Sequence, residues 1–230
     1  MDGFLVDLGR MRHGHCALLQ RSVLQAVADG KLPDTLLFVE HEPVFTLGAG
    51  FHRENLLLSE AEYGVRGIEL SETERGGDVT YHCPGQLVMY PVFNLARHGR
   101  DLHKWLRDLE EAAIVGMRTL GLHGSRFPPH TGVWVSEPTS QIRKIAAIGV
   151  KVKRWVSMHG IALNCDNDLS GFDLIVPCGI EGLGVTSLSQ ELGRKVGVED
   201  AKPIFKRAFE EVFGLDFSPK TAAWLGENVK

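Results

Sequence analysis

The stretch Arg75-Gly76-Gly77-Asp78-Val79-Thr80-Tyr81-His82-Cys83-Pro84-Gly85-Gln86 stands directly before an apolar run at residues 87–93. The paired glycines let the backbone approach a ligand closely, because neither carries a Cβ. Residues 79–81 predict a short strand, and Pro84-Gly85 predicts a turn into the next strand. Strands and a turn that carry polar side chains favour a binding wall over a purely structural hairpin, since sites are commonly placed on loops.

Apolar periodicity on both sides of this stretch predicts further strands and helices. Strands are predicted at residues 4–8, 35–40, 44–48, 132–135, 144–152 and 155–164, and the last three predict an antiparallel meander. Helices are predicted at residues 13–29, at a long segment that Asp101 caps, at a short segment that Thr186 or Ser187 caps and that ends at Leu192, and at residues 203–213 with Gly214 closing it. The long helix carries one apolar stripe, formed by Leu102, Trp105, Leu106, Leu109, Ala113 and Leu120.

Clustered strands with helices between and after them predict a single α+β domain with a mixed, mostly antiparallel sheet and flanking helices. We expect this domain to occupy residues 1–217 and residues 218–230 to form a frayed tail.

Composition excludes several classes of function. The 230 residues carry a formal charge of −4, so they lack the basic excess that is typical of nucleic-acid binding. No apolar run approaches the roughly 18 residues of a membrane span, and residues 1–8 lack the basic and long apolar regions of a secretory signal. We therefore expect a cytoplasmic protein. Cys16, Cys83, Cys165 and Cys178 have no CxxC spacing, which predicts neither a metal site nor a redox pair.

Cys178 has the setting of a nucleophile, since it follows an apolar run that Pro177 breaks and precedes Gly179. A thiol reacts as the thiolate and needs a neighbour that lowers its pKa. Lys144, in an otherwise apolar strand, is the candidate: an ammonium about 4 Å from a thiolate gains roughly 4 kcal/mol at an effective dielectric constant near 20. Two alternatives stay open, a buried inert cysteine and an edge-strand lysine that points to water.

Two histidines stand beside glycines or turns. His159 precedes Gly160 inside a predicted strand, where a single histidine is more often structural. His82 has the richer polar neighbourhood.

Six motifs, in this order along the chain, together resemble the lipoyl(octanoyl) transferases. They are Arg75–His82 with Pro84-Gly85-Gln86, Thr131-Gly132-Val133-Trp134, Lys144–Gly149, His159–Asn164, Val176–Ile180 and Gly184–Leu188. The likeness covers residues 4–217.

This resemblance implies a biotin/lipoate protein ligase type of catalytic domain. It also implies transfer of an octanoyl group from octanoyl-acyl carrier protein, through a thioester on Cys178, to a lysine of a lipoyl domain. The acceptors would be 2-oxoacid dehydrogenase E2 subunits and the glycine cleavage H protein, in the first step of endogenous lipoate cofactor biosynthesis. A monomer without a cofactor, nucleic acid or membrane partner is expected, in the cytoplasm or, in a eukaryote, the mitochondrial matrix.

The resemblance also assigns site residues. Cys178 and Lys144 would form the catalytic dyad. The acyl pocket would be lined by Arg75, Gly76, Gly77, Asp78, Val79, Thr80, Tyr81, His82, Ala147, Ile148, Gly149, His159, Gly160, Ile161 and Ala162. One departure is Cys83, at a position that is usually glycine, which places a second thiol near His82.

The chemistry of the residues agrees with transfer without nucleotide. A thioester passed to a cysteine gives another thioester, and attack by an amine gives the more stable amide. Consistent with this, the chain has no GxxxxGK[ST] loop, and the glycines at 179–184 do not follow GxGxxG order. Lys144, once neutral, could take a proton from the incoming amine.

Two other functions stay open at this point: an ATP-dependent lipoate or biotin ligase of the same fold, and a non-catalytic binder of lipoyl domains. For an acidic carrier protein the dock should be basic. The candidates are one group at Arg143, Lys151, Lys153 and Arg154, and another at Arg97, Arg100, Lys104 and Arg107.

Overall fold

The computed structural model describes residues 2–136, 141–176 and 183–229. Its strands are β1 (Asp2–Met11), β2 (Thr35–His41), β3 (Val44–Leu47), β4 (Glu69–Glu72), β5 (Val79–His82), β6 (Gln86–Val92), β7 (Ser125–Phe127), β8 (His130–Val135), β9 (Arg143–Lys153), β10 (Val156–Asn164), β11 (Gly184–Val185) and β12 (Asp216–Lys220). Its α-helices are α1 (His13–Ala28), α2 (Glu60–Val65), α3 (Leu102–Thr119), α4 (Leu188–Leu192), α5 (Val198–Phe213) and α6 (Ala222–Asn228). Short 3-10 turns lie at Arg53–Asn55, Leu95–Arg97 and Ser170–Leu174.

The described strands form two sheets. The larger has the order β12-β1-β2-β6-β10-β9-β8-β7, with β11 pairing on β9, and the smaller has the order β4-β3-β5. In the larger sheet, β1 pairs in parallel with β12 and β2, and β11 pairs in parallel with β9. Its remaining pairs are antiparallel. The predicted α+β fold with a mixed, mostly antiparallel sheet is therefore confirmed.

Helices cover both faces of the larger sheet. Helices α3 and α5 pack on one face through Trp105, Leu109, Phe205 and Phe209, which are buried together with inward residues of β6 and β10. Helix α1 packs on the other face. The small sheet has its own core against the turn at Ser170–Leu174. Arg75, Thr80 and His82 of the stretch at residues 75–86 lie in the space between the two sheets.

Several elements form where their end signals predict. Asp101 caps α3 by accepting the backbone N–H groups of His103 and Lys104, and Ser187 caps α4. Strands β8, β9 and β10 form the predicted antiparallel meander. Gly214 ends α5 in the left-handed conformation that glycine favours.

The start of α5 was predicted five residues too late. The prediction placed Pro203 in the first turn, where its missing N–H costs nothing. In the structure the helix begins at Val198, because the carboxylate of Asp200 accepts the N–H of Gly197 and caps the end earlier. Pro203 then lies inside the helix, in its second turn.

The predicted frayed tail is also wrong for the described residues. Residues 216–220 form β12, which pairs in parallel with β1 from Asp2 to Val6. Thr221 caps α6, and Leu225 is fully buried in the core beneath α1. A short polar strand and a seven-residue helix carry little periodicity, so the sequence did not reveal them. Among residues 2–136, 141–176 and 183–229, no helix has the length and apolar character of a membrane span.

We expect Leu225→Ala to lower the free energy of unfolding by about 2–5 kcal/mol, because it leaves a cavity in a closed core. Urea unfolding followed by circular dichroism measures this change. The exposed neighbour Glu227 is the control, and its alanine variant should stay within about 0.5 kcal/mol of wild type. Equal stability of the two variants would mean that α6 is not part of the core.

Candidate functional site

A pocket lies between the two sheets, beneath the loop at residues 75–77. It encloses about 490 Å³, including the part open to solvent. It is lined by His13, Thr46, Arg75, Gly76, Gly77, Thr80, His82, Val88, Tyr90, Ala147, Ile148, Gly149, His159, Gly160, Ile161 and Ala162. Twelve of these residues belong to the predicted acyl-pocket set.

The alternation of side chains along a strand decides which residues of the stretch at 75–86 reach the pocket. Successive side chains of a strand point to opposite faces. On β5, Thr80 and His82 face the pocket, whereas Val79 and Tyr81 pack into the core of the small sheet. Val79 and Tyr81 were predicted as pocket residues and do not line it.

Asp78 does not line the pocket either. Its carboxylate accepts the N–H of Val79 at 2.7 Å, the Nδ2 of Asn55 at 2.6 Å and the Nδ1 of His52 at 3.1 Å. Asn55 in turn accepts the N–H of Val176 at 2.9 Å. Asp78 therefore holds the loops around the site rather than a ligand inside it.

Small residues on β9 and β10 form the floor of the pocket. Ala147 pairs with Ala162, and Gly149 pairs with Gly160. A Cβ on Gly149 would lie 2.9 Å from the carbonyl oxygen of Gly76, so a side chain there would push the loop away. The backbone of the loop can thus lie directly on the strand, where Gly76 donates its N–H to the carbonyl of Val150 at 2.9 Å.

Arg75 is held by Thr46 of the small sheet. Its Nε donates to Thr46 Oγ1 at 3.1 Å, and its Nη2 donates to the carbonyl oxygen of Thr46 at 2.5 Å. The side chain is buried, so these hydrogen bonds to a charged donor stabilise the loop more than neutral ones would. The oxygen of the Thr46 hydroxyl accepts from Arg75, so its proton is available to be donated to His82 Nε2, 3.3 Å away.

From His82 a buried chain of hydrogen bonds continues across the larger sheet. His82 Nδ1 lies 2.7 Å from Gln86 Oε1, and the amide nitrogen of Gln86 donates to Asn164 Oδ1 at 2.9 Å. Because a carbonyl oxygen only accepts, His82 carries its proton on Nδ1. Asn164 donates to the carbonyl oxygen of Thr186, whose N–H donates to the carbonyl oxygen of Lys144, each at 2.9 Å. The chain thus links the pocket to the start of β9.

Four imidazoles surround the inner end of the pocket. The ring centroids of His13 and His41 are 5.3 Å apart, and those of His41 and His82 are 5.7 Å apart. Burial lowers the pKa of His13 to about 3 and the pKa of His41 and of His159 to about 4. Burial also lowers the pKa of His82 well below its ordinary value. The rings are therefore neutral at pH 7, and the nearby charge of Arg75 further disfavours protonation of His13, His82 and His159.

The described residues contain no group of three or more His, Cys, Asp or Glu side chains placed to bind a metal ion. His159 lines the pocket, its φ is +59°, and its Nε2 is buried with no hydrogen-bond partner in the described structure.

Lys144 is buried, so the alternative of a solvent-exposed edge-strand lysine is wrong. Its Nζ lies 4.5 Å from the centroid of the Trp134 ring, a cation–π contact with a fully buried aromatic residue. Its strand is flanked by β8 on one side and β10 on the other, with β11 pairing at its first two residues. Lys144 also lines a smaller cavity that shares Thr80, Ala147 and Ala162 with the pocket.

The three described thiols are poor nucleophiles. Burial raises the pKa of Cys83 to about 11, and the pKa of Cys16 and of Cys165 to about 12. The Cys83 Sγ–H points toward the carbonyl oxygen of Asp168, 3.6 Å away. Cys83 is not among the non-glycine residues with positive φ, so the turn tolerates its Cβ. Cys178 lies outside the described residues, and its pairing with Lys144 stays a prediction.

His13, Thr46, Val88 and Tyr90 line the pocket but were missed. They come from three elements outside the matching motifs, and a core strand such as β6 gives no sign of which face meets a ligand. His13 and His41 did carry a signal. Each is a histidine at the boundary of an apolar segment, as is His82.

Comparison with known proteins agrees with this architecture. Residues 15–210 match the family described as the lipoyl protein ligase A/B catalytic domain. A protein named octanoyltransferase, from Thermosynechococcus vestitus, is 49% identical over 193 residues, which cover 84% of this chain and 81% of that protein. The chain belongs to the octanoyltransferase family. It is therefore an acyltransferase, and the resemblance found in the motifs is confirmed.

The solved structures show the fold. A bipartite lipoate protein ligase from Thermoplasma acidophilum superposes with a TM-score of 0.78 at 19% identity, covering 100% of this chain and 90% of that one. The biotin protein ligase from Aquifex aeolicus superposes with a TM-score of 0.52 at 12% identity, covering 93% and 70%. The predicted biotin/lipoate protein ligase type of domain is confirmed.

We expect the free energy of unfolding to fall as the pH is lowered from about 6.5 toward 4. The buried imidazoles stay neutral in the folded chain over this range, whereas the unfolded chain takes up their protons below about pH 6.5. Each such histidine contributes a slope of up to about 1.4 kcal/mol per pH unit. Urea unfolding at several pH values should give a smaller slope for His41→Gln than for wild type.

The control for this series is His15→Gln, since His15 lies exposed on α1 and its replacement removes no buried ring. An unchanged slope in the His41 variant would show that this ring is protonated in the fold as readily as in the unfolded chain.

Proposed function

We propose that the protein transfers an octanoyl group from octanoyl-acyl carrier protein to a lysine of a lipoyl domain, through a thioester on Cys178. The acceptors are 2-oxoacid dehydrogenase E2 subunits and the glycine cleavage H protein, and the reaction is the first step of lipoate cofactor biosynthesis within the cell. The observation that carries the proposal is a buried lysine, Lys144, in a cavity that adjoins a pocket with a floor of small residues.

The surroundings of Lys144 support its role as partner of a thiolate. The Lys144 ammonium is buried against the Trp134 ring, and the low dielectric of such a site strengthens its attraction to a nearby thiolate. The chain on both sides of Cys178 is anchored at the site. Val176 donates its N–H to Asn55, and Val185 pairs opposite Lys144 on β9.

The thiols of the described residues support the choice of Cys178 over Cys83. Burial raises the pKa of Cys83, and the carboxylates of Asp168 and Glu40 raise it further. A thiol with a pKa near 11 is almost entirely protonated at pH 7 and therefore attacks slowly.

The pocket suits a medium-length acyl chain. Its floor consists of Ala147, Gly149, Gly160 and Ala162, and neutral imidazole rings lie at its inner end. From Ala162 to His159 the strand rises about 10 Å, at about 3.3 Å per residue. That distance is comparable with an extended eight-carbon chain. In this proposal Arg75–Gly77, Thr80, His82, Ala147–Gly149 and His159–Ala162 bind the acyl group.

The reaction has two steps. The Cys178 thiolate attacks the donor thioester, which forms the enzyme thioester and releases the thiolate of the carrier arm. The acceptor amine then attacks the enzyme thioester, which forms the amide and returns the sulfur to Cys178. In the first step the Lys144 ammonium gives a proton to the departing carrier thiolate and becomes neutral. In the second step neutral Lys144 takes the proton that the amine loses, which restores the ammonium beside the Cys178 thiolate.

We expect incubation with octanoyl-acyl carrier protein to add one octanoyl mass to the intact protein, without ATP. Intact-protein mass spectrometry followed by peptide mapping should place the adduct on Cys178. Cys178→Ser should lose transfer to a lipoyl domain by at least about a thousandfold, because a hydroxyl is rarely ionised at neutral pH. Cys83→Ser is the matched control and should keep both adduct and transfer. An adduct on Cys83, or activity that requires ATP and free lipoate, would refute the proposal.

We also expect Lys144→Met to abolish rapid adduct formation at pH 7 and to recover part of it as the pH approaches that of an ordinary free thiol, about 8.5. Methionine keeps the apolar stem against Trp134 and removes only the ammonium. The rate of alkylation of Cys178 by iodoacetamide against pH measures this directly. A wild-type profile in the variant would exclude Lys144 as the group that lowers the thiol pKa.

A further inference from the structure

Three of the four non-glycine residues with positive φ in the described structure meet on one surface. Arg154 and Trp155, with φ of 54° and 61°, form the two-residue turn between β9 and β10, and Arg100 has a φ of 52°. Both turn positions need positive φ, and hairpins of this kind normally place Asn-Gly there. An arginine and a tryptophan at these positions therefore store backbone strain.

The same residues carry exposed charge and an exposed aromatic ring. The guanidinium carbon of Arg100 lies 5.8 Å from the centroid of the Trp155 ring, which is 43% exposed. The N–H of Leu95 donates to the carbonyl oxygen of Trp155 at 2.7 Å, which brings Arg97 to the same surface. We call Arg97, Arg100, Lys153, Arg154 and Trp155 the basic knuckle.

The knuckle joins the two basic groups that the sequence left separate. Arg143 of the first group and Lys104 and Arg107 of the second are ion-paired elsewhere, with Glu191, Asp108 and Glu110. Within the knuckle, Asp29 lies 3.1 Å from Arg154, and Asp34 lies 3.6 Å from Arg97. The described structure shows no ion pair for Arg100 or Lys153, so the surface keeps a net positive charge.

A cleft leads from Lys144 toward the knuckle. It encloses about 880 Å³, counting space open to solvent. Leu102 and Leu106 of α3 form one side, and Ile148 and Val150 of β9 form the other. These leucines belong to the predicted apolar stripe of α3, yet Leu102 is 46% exposed. From Lys144 to Val150 the strand spans about 20 Å, at about 3.3 Å per residue.

One edge of β9 faces this cleft. Strand β8 pairs with β9 only up to Ala146, and beyond it the carbonyl of Val150 accepts the N–H of Gly76. In an antiparallel pair, alternate residues direct their backbone groups to the same side, so Ile148 presents its N–H and carbonyl to the cleft as well. An extended ligand with amide groups can therefore add along this edge.

We propose that the basic knuckle docks the acidic carrier protein of the acyl donor, and that the cleft holds the long amide-containing arm that delivers the thioester to the site. The inference rests on the proposed function, since it names the surface on which that donor binds. Positive charge on the knuckle complements an acidic protein, and the exposed tryptophan supplies apolar contact area. The cleft ends at Val150, three residues before Lys153 on β9, so an arm that extends from a protein beside the knuckle can enter it and run toward Lys144.

The test compares two donors that share the same arm, octanoyl-acyl carrier protein and octanoyl-pantetheine. The double variant Arg100→Glu with Lys153→Glu should raise KM for the carrier-bound donor by at least about tenfold. It should leave kcat/KM for octanoyl-pantetheine within about twofold. Raising the salt concentration should weaken carrier binding by wild type and have little effect on the double variant. Lys195→Glu is the control, because Lys195 is 83% exposed and lies outside the knuckle.

Trp155→Gly separates binding from folding. Glycine relieves the positive φ of the turn, so the variant should unfold at the same or a higher temperature, yet its KM for the carrier-bound donor should rise as in the double variant. Leu106→Trp fills the cleft instead, and should reduce kcat/KM for both donors by a similar factor.

Direct titration of octanoyl-acyl carrier protein makes the outcome independent of turnover. Knuckle variants that bind it as tightly as wild type overturn the docking proposal, even if wild type is active. An equal loss of kcat/KM with both donors in the double variant also overturns the docking proposal, because the substitutions would then disturb the acyl-transfer site and not carrier binding. A wild type that binds the carrier through the knuckle but transfers nothing would instead contradict the proposed function.

Discussion

The buried charge of Arg75 is the constraint on which the site depends. A guanidinium between two sheets must be hydrogen-bonded, and Thr46 supplies both a hydroxyl and a carbonyl oxygen for it. The same hydroxyl orients His82, which leads through Gln86 and Asn164 toward the first residues of β9. Each buried donor or acceptor left unpaired would cost about 1–3 kcal/mol. A shift of either sheet would break several of these hydrogen bonds at once. The series of hydrogen bonds therefore fixes the position of the two sheets relative to each other.

The fixed cation also sets the electrostatics of the pocket. Arg75 lies close enough to His13, His82 and His159 to disfavour a second positive charge on any of them. Desolvation acts in the same direction and is the larger cause for each ring. The rings at the inner end of the pocket are thus polar but uncharged at neutral pH, and Arg75 supplies a charge in the pocket wall. An apolar chain that lies against the rings does not have to bury a second ion.

The sequence predicted the parts of the site that lie in local motifs. The loop at 75–77, the small residues of β9 and β10, and the buried lysine are each visible in a short segment. The alternation of side chains along β5 separates Val79 and Tyr81, which face the core of the small sheet, from Thr80 and His82, which face the pocket. The sequence did not reveal which residues of distant segments contribute to the pocket. His13, Thr46 and Tyr90 reach the pocket only because the small sheet folds over the larger one. Strand β12 and helix α6 depend on partners at the opposite end of the chain.

Gly76, Gly77 and Gly149 explain why the loop at residues 75–77 shapes both the acyl pocket and the cleft. Residues 76, 77, 148 and 149 line both the acyl pocket and the cleft beside Leu102 and Leu106, so they form the wall between the two spaces. Gly77 has a φ of +88°, which favours glycine, and a Cβ on Gly149 would meet the carbonyl of Gly76. The loop backbone therefore packs directly on β9, with no side chain between them. If the arm occupies the cleft and the acyl chain the pocket, the thioester that joins them must pass this wall at its Lys144 end. The glycines then hold the two substrate-binding spaces close enough for one short bond to connect them.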